Sequence, residues 1–351
     1  MLPPNATDIG LAVQTQDGPV VQNDGHGLVG VGYRNLETEV QNQIVSPAQA
    51  PPTLYQAMVR AGAINRQAFS LYLDDQQSGK GSVTFGGVDS TKYTGELVAL
   101  PVIPQGTTYI DYSVALTGVV FNDAKGAHAL TDNNFAVPAV LDSGTVEQYI
   151  PAGVANAIFR GLGAVAISGG AAQLIPCDYA KSNASLTYQF GGPGGPSVNV
   201  PLAALLRPAG GTFDDGQDGC FVLMSPESGN GVILGDSFMR SGYFVYDVQN
   251  NQIAVAQANL DQTTTSALTA LPTGTSIPGC SSTNTLSISR ASVTPSAPPP
   301  LTTASATGAL TPGTPTFDLG SATATSIAGP ALRPAAGIVV AIAAALTFLH
   351  A

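Results

Sequence analysis

One stretch holds residue types that could do chemistry together: Ala139-Val140-Leu141-Asp142-Ser143-Gly144-Thr145. An apolar run ends in an acid, and two hydroxyl residues and a glycine follow at once. That is the pattern of a buried strand delivering one carboxylate into a tight turn lined with donors. Gly144 lets the backbone fold close, and the hydroxyls of Ser143 and Thr145 can donate. Asp-Ser-Gly is also an ordinary strand-ending turn, so the rest of the chain has to decide between the two. Other acids are weaker candidates. Asp236, in Leu234-Gly235-Asp236, and Asp247, in Tyr246-Asp247, lack a glycine–hydroxyl turn and read as structural acids beside core strands. His26, His128 and His350 show no ligand spacing, so neither a metal nor another cofactor is called for.

The elements around Asp142 read mostly as strands. Residues 9–13 and 27–33 are short apolar runs broken by glycine. Leu54, Met58, Val59 and Ile64 recur at helical spacing over 53–63. Residues 69–73 alternate, a polar turn spans 74–81, and 82–87 return, which is a hairpin signal. The β pattern continues through 97–102 and 109–120 to Val137–Leu141, the strand that feeds Asp142. A helix is expected over 152–162. Strands follow at 186–205, 221–224 and 232–235, and a hairpin over 242–255 turns at Asn250-Asn251.

Composition agrees with an all-β body followed by a low-complexity segment. The chain has 351 residues, only 10% of them charged, with 40 Gly, 26 Pro and no Trp. Its 23 acids against 12 bases give a net charge of −11, which argues against a nucleic-acid partner and suits work in acid. Asn5-Ala6-Thr7 and Asn183-Ala184-Ser185 are glycosylation sequons. From about residue 261 to 334, Thr, Ser, Ala, Pro and Gly dominate, which predicts a disordered, O-glycosylated stalk. Residues 335–351 form an apolar end too short for a spanning helix. The small-residue stretch 320–326 precedes it by a spacer, the layout of a GPI-attachment signal. No signal peptide opens the sequence as given.

The chain also repeats itself. Gly27-Leu28-Val29-Gly30 is echoed by Val232-Ile233-Leu234-Gly235, and Gly235 follows Asp142 by 93 positions. The same spacing ahead of Gly30 puts a partner acid about sixty positions before Met1.

Further stretches are Gly81-Ser82-Val83-Thr84-Phe85-Gly86-Gly87-Val88-Asp89, Tyr93-Thr94-Gly95-Glu96-Leu97, Val232-Ile233-Leu234-Gly235-Asp236-Ser237-Phe238-Met239-Arg240 and Tyr243-Phe244-Val245-Tyr246-Asp247. With these and the Asp142 turn in order over residues 9–257, the chain resembles the pepsin-like aspartic proteases (peptidase family A1), of the fungal, secreted, GPI-anchored kind. The resemblance implies an all-β, bilobal, pepsin-like acid protease fold. Residues 1–100 would be the later part of the N-terminal lobe and the connecting strands, and 101–260 a whole C-terminal lobe. It implies an aspartic endopeptidase that activates water between two carboxylates sharing a proton. Asp142 would be one of them, Ser143 would bond across the lobes, and Gly144 and Thr145 would donate to the outer carboxylate oxygen. It also implies a Cys177–Cys220 disulfide, with Cys280 left over in the tail.

The first Asp turn and the tyrosine flap of the family are not among these residues, and Val146 stands where a hydroxyl residue is common. The 351-residue chain alone is therefore expected to be inactive, with exposed strand edges in its shortened lobe. The implied partners are protein or peptide substrates, plus membrane or cell wall through the anchor. The protein would be an extracellular, cell-surface monomer. The alternative is a catalytically inactive, wall-attached binding or structural relic of the fold. Two chains each lending one turn is discounted, because Asp142 sits in a lobe built to face a different lobe.

Overall fold

The computed structural model of the chain describes residues 29–36, 40, 43–46, 48–75, 78, 80–167, 172–227, 229, 231–260, 265–284, 286, 288 and 310–320. The strand reading at 9–13, the Asn5 sequon, positions 321–326 and the 335–351 apolar end lie outside them.

Among the described residues a short 3-10 turn at Arg34–Leu36 is followed by the helix α1 (Leu54–Arg60). The N–H of Thr53 donates to Gln56 Oε1 at 3.1 Å, one half of a capping box that satisfies a helix-start donor. The hairpin β1 (Ala68–Tyr72) and β2 (Ser82–Phe85) pairs antiparallel across the polar turn. β3 (Gly87–Asp89) and β4 (Tyr93–Pro101) complete the first part of the chain.

The second part begins with β5 (Ser113–Asp123), β6 (Gly126–Ala129), β7 (Val137–Leu141) and β8 (Gln148–Ile150). The helix α2 (Ala152–Gly161) follows, with Val154, Ala155, Ile158 and Phe159 buried. Then come β9 (Val165–Ile167), β10 (Ala172–Pro176), β11 (Ser185–Phe190) and β12 (Ser197–Pro201). β13 (Leu206–Thr212), β14 (Asp218–Val222), β15 (Met224–Pro226) and β16 (Val232–Leu234) lead into the short helix α3 (Asp236–Met239). β17 (Gly242–Asp247) and β18 (Gln252–Ala258) form the closing hairpin, in which Asn251 takes a positive φ of 52°, a conformation asparagine tolerates. β19 (Leu268–Ala270) and β20 (Cys280–Thr283) come from the tail.

Two large sheets organise these strands. One runs β2-β1-β17-β18-β4-β20, so the closing hairpin sits beside strands from the start of the chain. The other runs β12-β11-β5-β7-β16-β8-β15, with β6 on β5. A smaller sheet, β13-β14-β10-β9, flanks it. The Cys177–Cys220 disulfide implied by the resemblance is present and ties the end of β10 to β14. One core joins the two large sheets. Phe69 of β1 stacks on Tyr246 of β17 at 4.7 Å, and Tyr246 meets Tyr112 edge-on.

Two expectations need correction. Residues 29–33 are not a strand. No described strand flanks them, and two of their carbonyls accept from tyrosine hydroxyls instead: Tyr112 donates to Val31 O at 2.5 Å and Tyr55 to Gly32 O at 2.7 Å. The stalk reading of 261–334 also fails over two segments. β19 pairs with β3, and β20 pairs parallel with the edge of β4. Between them, Leu271 and Ile277 are buried. A fully buried ion pair, Arg66 Nη1 to Asp247 Oδ2 at 2.7 Å, anchors that loop. Arg66 also donates to Pro272 O at 2.9 Å and to Ser276 O at 2.6 Å. Sparse apolar residues thus suffice, because an arginine supplies the carbonyls' partners and a sheet edge supplies the ladder. The second segment, 310–320, packs on the body through Phe317 and Leu319.

Candidate active site

Asp142 stands at the C-terminal end of β7, which is flanked by β5 antiparallel and β16 parallel. All three strands are largely apolar and buried, so the carboxylate is carried on an interior strand of the sheet. The Asp142 N–H donates to Leu234 O at 3.1 Å, extending the β7–β16 pairing into the turn. There the chain reverses, and the Gly144 N–H donates to Asp142 Oδ1 at 2.9 Å while Thr145 Oγ1 donates to Oδ2 at 2.8 Å. Each carboxylate oxygen therefore has its own donor, where the sequence reading put both donors on the outer oxygen. Ser143 is buried beside them. Val146, next in sequence, is 54% exposed.

The turn is held from behind by residues that motif reading undervalued. Asp236 N–H donates to Thr145 O at 2.7 Å and Ser237 N–H to Val146 O at 3.1 Å. Gly235 makes this possible: a Cβ there would run into the carbonyl oxygens of Thr145 and Glu147. Glycine between Leu234 and Asp236 is thus a close-approach residue, where two backbones cross with no room for a side chain. The Asp236 carboxylate is occupied by Arg240 Nη2 at 3.1 Å. The structural reading of Asp236 and Asp247 therefore agrees with their partners. Beneath the turn, the Tyr246 hydroxyl donates to Leu141 O at 3.4 Å. Tyr246 and Arg66 were not singled out from the sequence. Their only signal was an apolar aromatic in a strand and a lone base outside any motif.

Electrostatics at the site are opposed. Burial raises the Asp142 carboxyl above its ordinary range, the bonds from Thr145 and Gly144 pull it down, and the nearby Asp236 pushes it up; burial dominates. Burial also raises Asp236, against the pull of Arg240. A carboxyl so placed can hold a proton in acid and yet is solvated, when charged, by fixed donors. Among the described residues no group of three or more His, Cys, Asp or Glu is arranged to hold a metal ion.

A family model described as eukaryotic aspartyl protease matches residues 4–258. The chain belongs to the eukaryotic aspartyl protease family. It is 37% identical over 240 residues to the probable aspartic-type endopeptidase opsB of Aspergillus fumigatus, covering 68% of this chain and 48% of the relative. It is 31% identical over 302 residues to aspartic proteinase 3 of Saccharomyces cerevisiae, covering 83% of this chain and 50% of that protein. The chain therefore spans about half the length of the curated relatives it matches. The crystal structure of the aspartic proteinase from Irpex lacteus superposes with a TM-score of 0.52 at 21% identity, covering 67% of this chain and 68% of that one. The all-β, bilobal, pepsin-like fold expected from the sequence is the fold observed. As a member of this family the chain contains one Asp-Ser-Gly and no Asp-Thr-Gly. Asn183 is exposed in this aspartyl protease fold, just before the buried Ala184 and Ser185.

Proposed function

We propose that this chain is the part of an acid-acting aspartic endopeptidase that carries Asp142, one of two catalytic carboxylates. The observation that supports this most is the Asp142 cradle: a buried carboxylate at a strand end, each oxygen with one donor, and held above its usual affinity for a proton by burial. Paired with a second carboxylate, it would leave one proton shared between them at acid pH. The charged member takes a proton from water, and the water oxygen bonds to the carbonyl carbon of the scissile peptide. The protonated member gives its proton to the carbonyl oxygen. Transfer of a proton to the amide nitrogen then lets the C–N bond break, releasing acid and amine with no cofactor.

The second carboxylate is read as belonging to an N-terminal lobe turn, since the chain spans about half the length of the curated relatives it matches. Ser143 would bridge to that turn. Protein or peptide substrates, a monomeric state, glycans on Asn5 and Asn183, and a GPI anchor within 320–326 at the cell surface complete the proposal. Incubating denatured protein at acid pH with the 351-residue chain, and separately with the chain extended upstream by an Asp-Thr/Ser-Gly turn, tests it. Pepstatin-sensitive cleavage is expected from the extended protein alone. Cleavage by neither would count for a non-catalytic protein.

A further inference from the structure

The segment 310–320 does not hang free. It crosses the outer side of the lobe that carries Asp142 in a fitted groove. Phe317 stacks flat on Phe121 of β5, ring centroids 3.9 Å apart and 10° from parallel. Backbone bonds run along the whole segment. Asp214 N–H donates to Leu310 O at 3.0 Å, and Gly313 N–H to Gly163 O at 3.1 Å. Thr316 and Phe317 N–H both donate to Gly161 O at 2.9 and 3.0 Å, and Ala124 N–H donates to Asp318 O at 2.9 Å. The Asp318 N–H reaches Asp123 Oδ2 at 2.8 Å, and Lys125 Nζ lies 3.7 Å from the Asp318 carboxylate. The groove is shaped for this ring, because a Cβ at Gly161 would collide with Phe317.

Its place in the lobe gives it direction. Ser113, at the start of β5, pairs with Val140, two residues before Asp142. Phe121 and Asp123 lie at the other end of the same strand. At ~3.4 Å per residue, the eight residues from Ser113 to Phe121 put the groove about 27 Å along the strand from the carboxylate turn. Gly320, where the small-residue stretch proposed for attachment begins, lies against Ala124.

We infer that residues 310–320 are a docking motif for the chain's own C-terminal lobe, which holds Gly320 at the end of β5 away from Asp142. The orientation rests on the anchored reading of the tail; the docking does not. An anchored enzyme would then sit close on its attachment surface with the Asp142 turn facing outward, instead of swinging on a stalk of seventy residues or so.

Hydrogen exchange on the intact 351-residue chain tests the docking. Relative to a synthetic peptide of residues 308–322, the amides of Gly313, Thr316, Phe317 and Asp318 are expected to exchange at least about tenfold more slowly. Phe317→Ala and Gly161→Val are each expected to remove that protection while leaving β7 protected. Exchange at the peptide's rate in the unsubstituted chain overturns the docking. The orientation has its own readout, on the protein attached to its membrane. With Cys280→Ser as background, a fluorophore on Lys125→Cys should lie nearer a membrane dye than one on Val146→Cys. The reverse order overturns it. Release by a phosphatidylinositol-specific phospholipase checks the anchor separately. No release removes the anchored reading and the orientation with it, while the exchange result still judges the docking.

Discussion

Replacing Arg66 by Met is expected to be among the most damaging single changes outside the Asp142 turn. The side chain is fully buried and makes three bonds, to Asp247 Oδ2, Pro272 O and Ser276 O. Methionine fills similar space, so packing loss is small. What remains, among the described residues, is a buried Asp247 with donors from Asn250 and Gln252, and two carbonyls without their guanidinium. Breaking one side of a buried ion pair costs about 3–5 kcal/mol. For a body of this size that lowers Tm by about 6–20 °C, at about 2–4 °C per kcal/mol. Calorimetry or urea unfolding of the purified chain reads it. Arg66→Met with Asp247→Leu should cost less than the sum of the two single changes, because the double variant leaves no unpaired charge. Loss of the clamp should also speed amide exchange in β20, whose loop it holds. A destabilisation under about 1 kcal/mol would refute the clamp as the reason this part of the tail folds.

Three further outcomes follow from the same geometry. Gly235→Ala places a Cβ against two carbonyl oxygens of the Asp142 turn; it should cost at least about 1–3 kcal/mol by urea unfolding and disturb the turn. The folded Asp142 carboxyl lies above 3.8, so the folded state holds more protons than the unfolded one. Its contribution is therefore favourable below the unfolded value and is lost as pH rises through the folded one. Asp142→Asn should flatten that fall, and Thr145→Val, which removes a donor to the charged form, should move it to higher pH in an NMR titration. Reducing Cys177–Cys220, which closes a separation of 43 residues, should cost about 4 kcal/mol on the chain-entropy model, read from unfolding with and without reductant.

The carboxylate turn was legible because its chemistry is local. Strand, acid, glycine and hydroxyl are contiguous, and the bonds from Gly144 and Thr145 span two or three residues. The hairpins were legible for the same reason, their alternation and turns being short-range signals. What supports the turn was not. Gly235 and Tyr246 act through the chain's crossing, and nothing near them in sequence announces Thr145 O or Leu141 O. The tail was misread because composition averages over a segment. Leu271, Ile277 and Phe317 are few, yet each enters a site prepared by distant residues: the Arg66 clamp, the edge of β4, and a groove open at Gly161. The 27–33 run was read as a strand from its apolar residues broken by glycine, a pattern that cannot report whether a neighbour exists to pair with it.

The most direct test of Asp142 as half of a proteolytic pair is acid-pH cleavage of a denatured protein by the upstream-extended enzyme, compared with its Asp142→Asn and Asp236→Asn variants. Asn at 142 keeps the shape but cannot share or take the proton, so cleavage should vanish there. Asp236→Asn, which loosens the support from Arg240 and removes a neighbouring charge but leaves the Asp142 carboxyl and its donors, should retain measurable pepstatin-sensitive activity. Undiminished cleavage by Asp142→Asn would contradict the assignment.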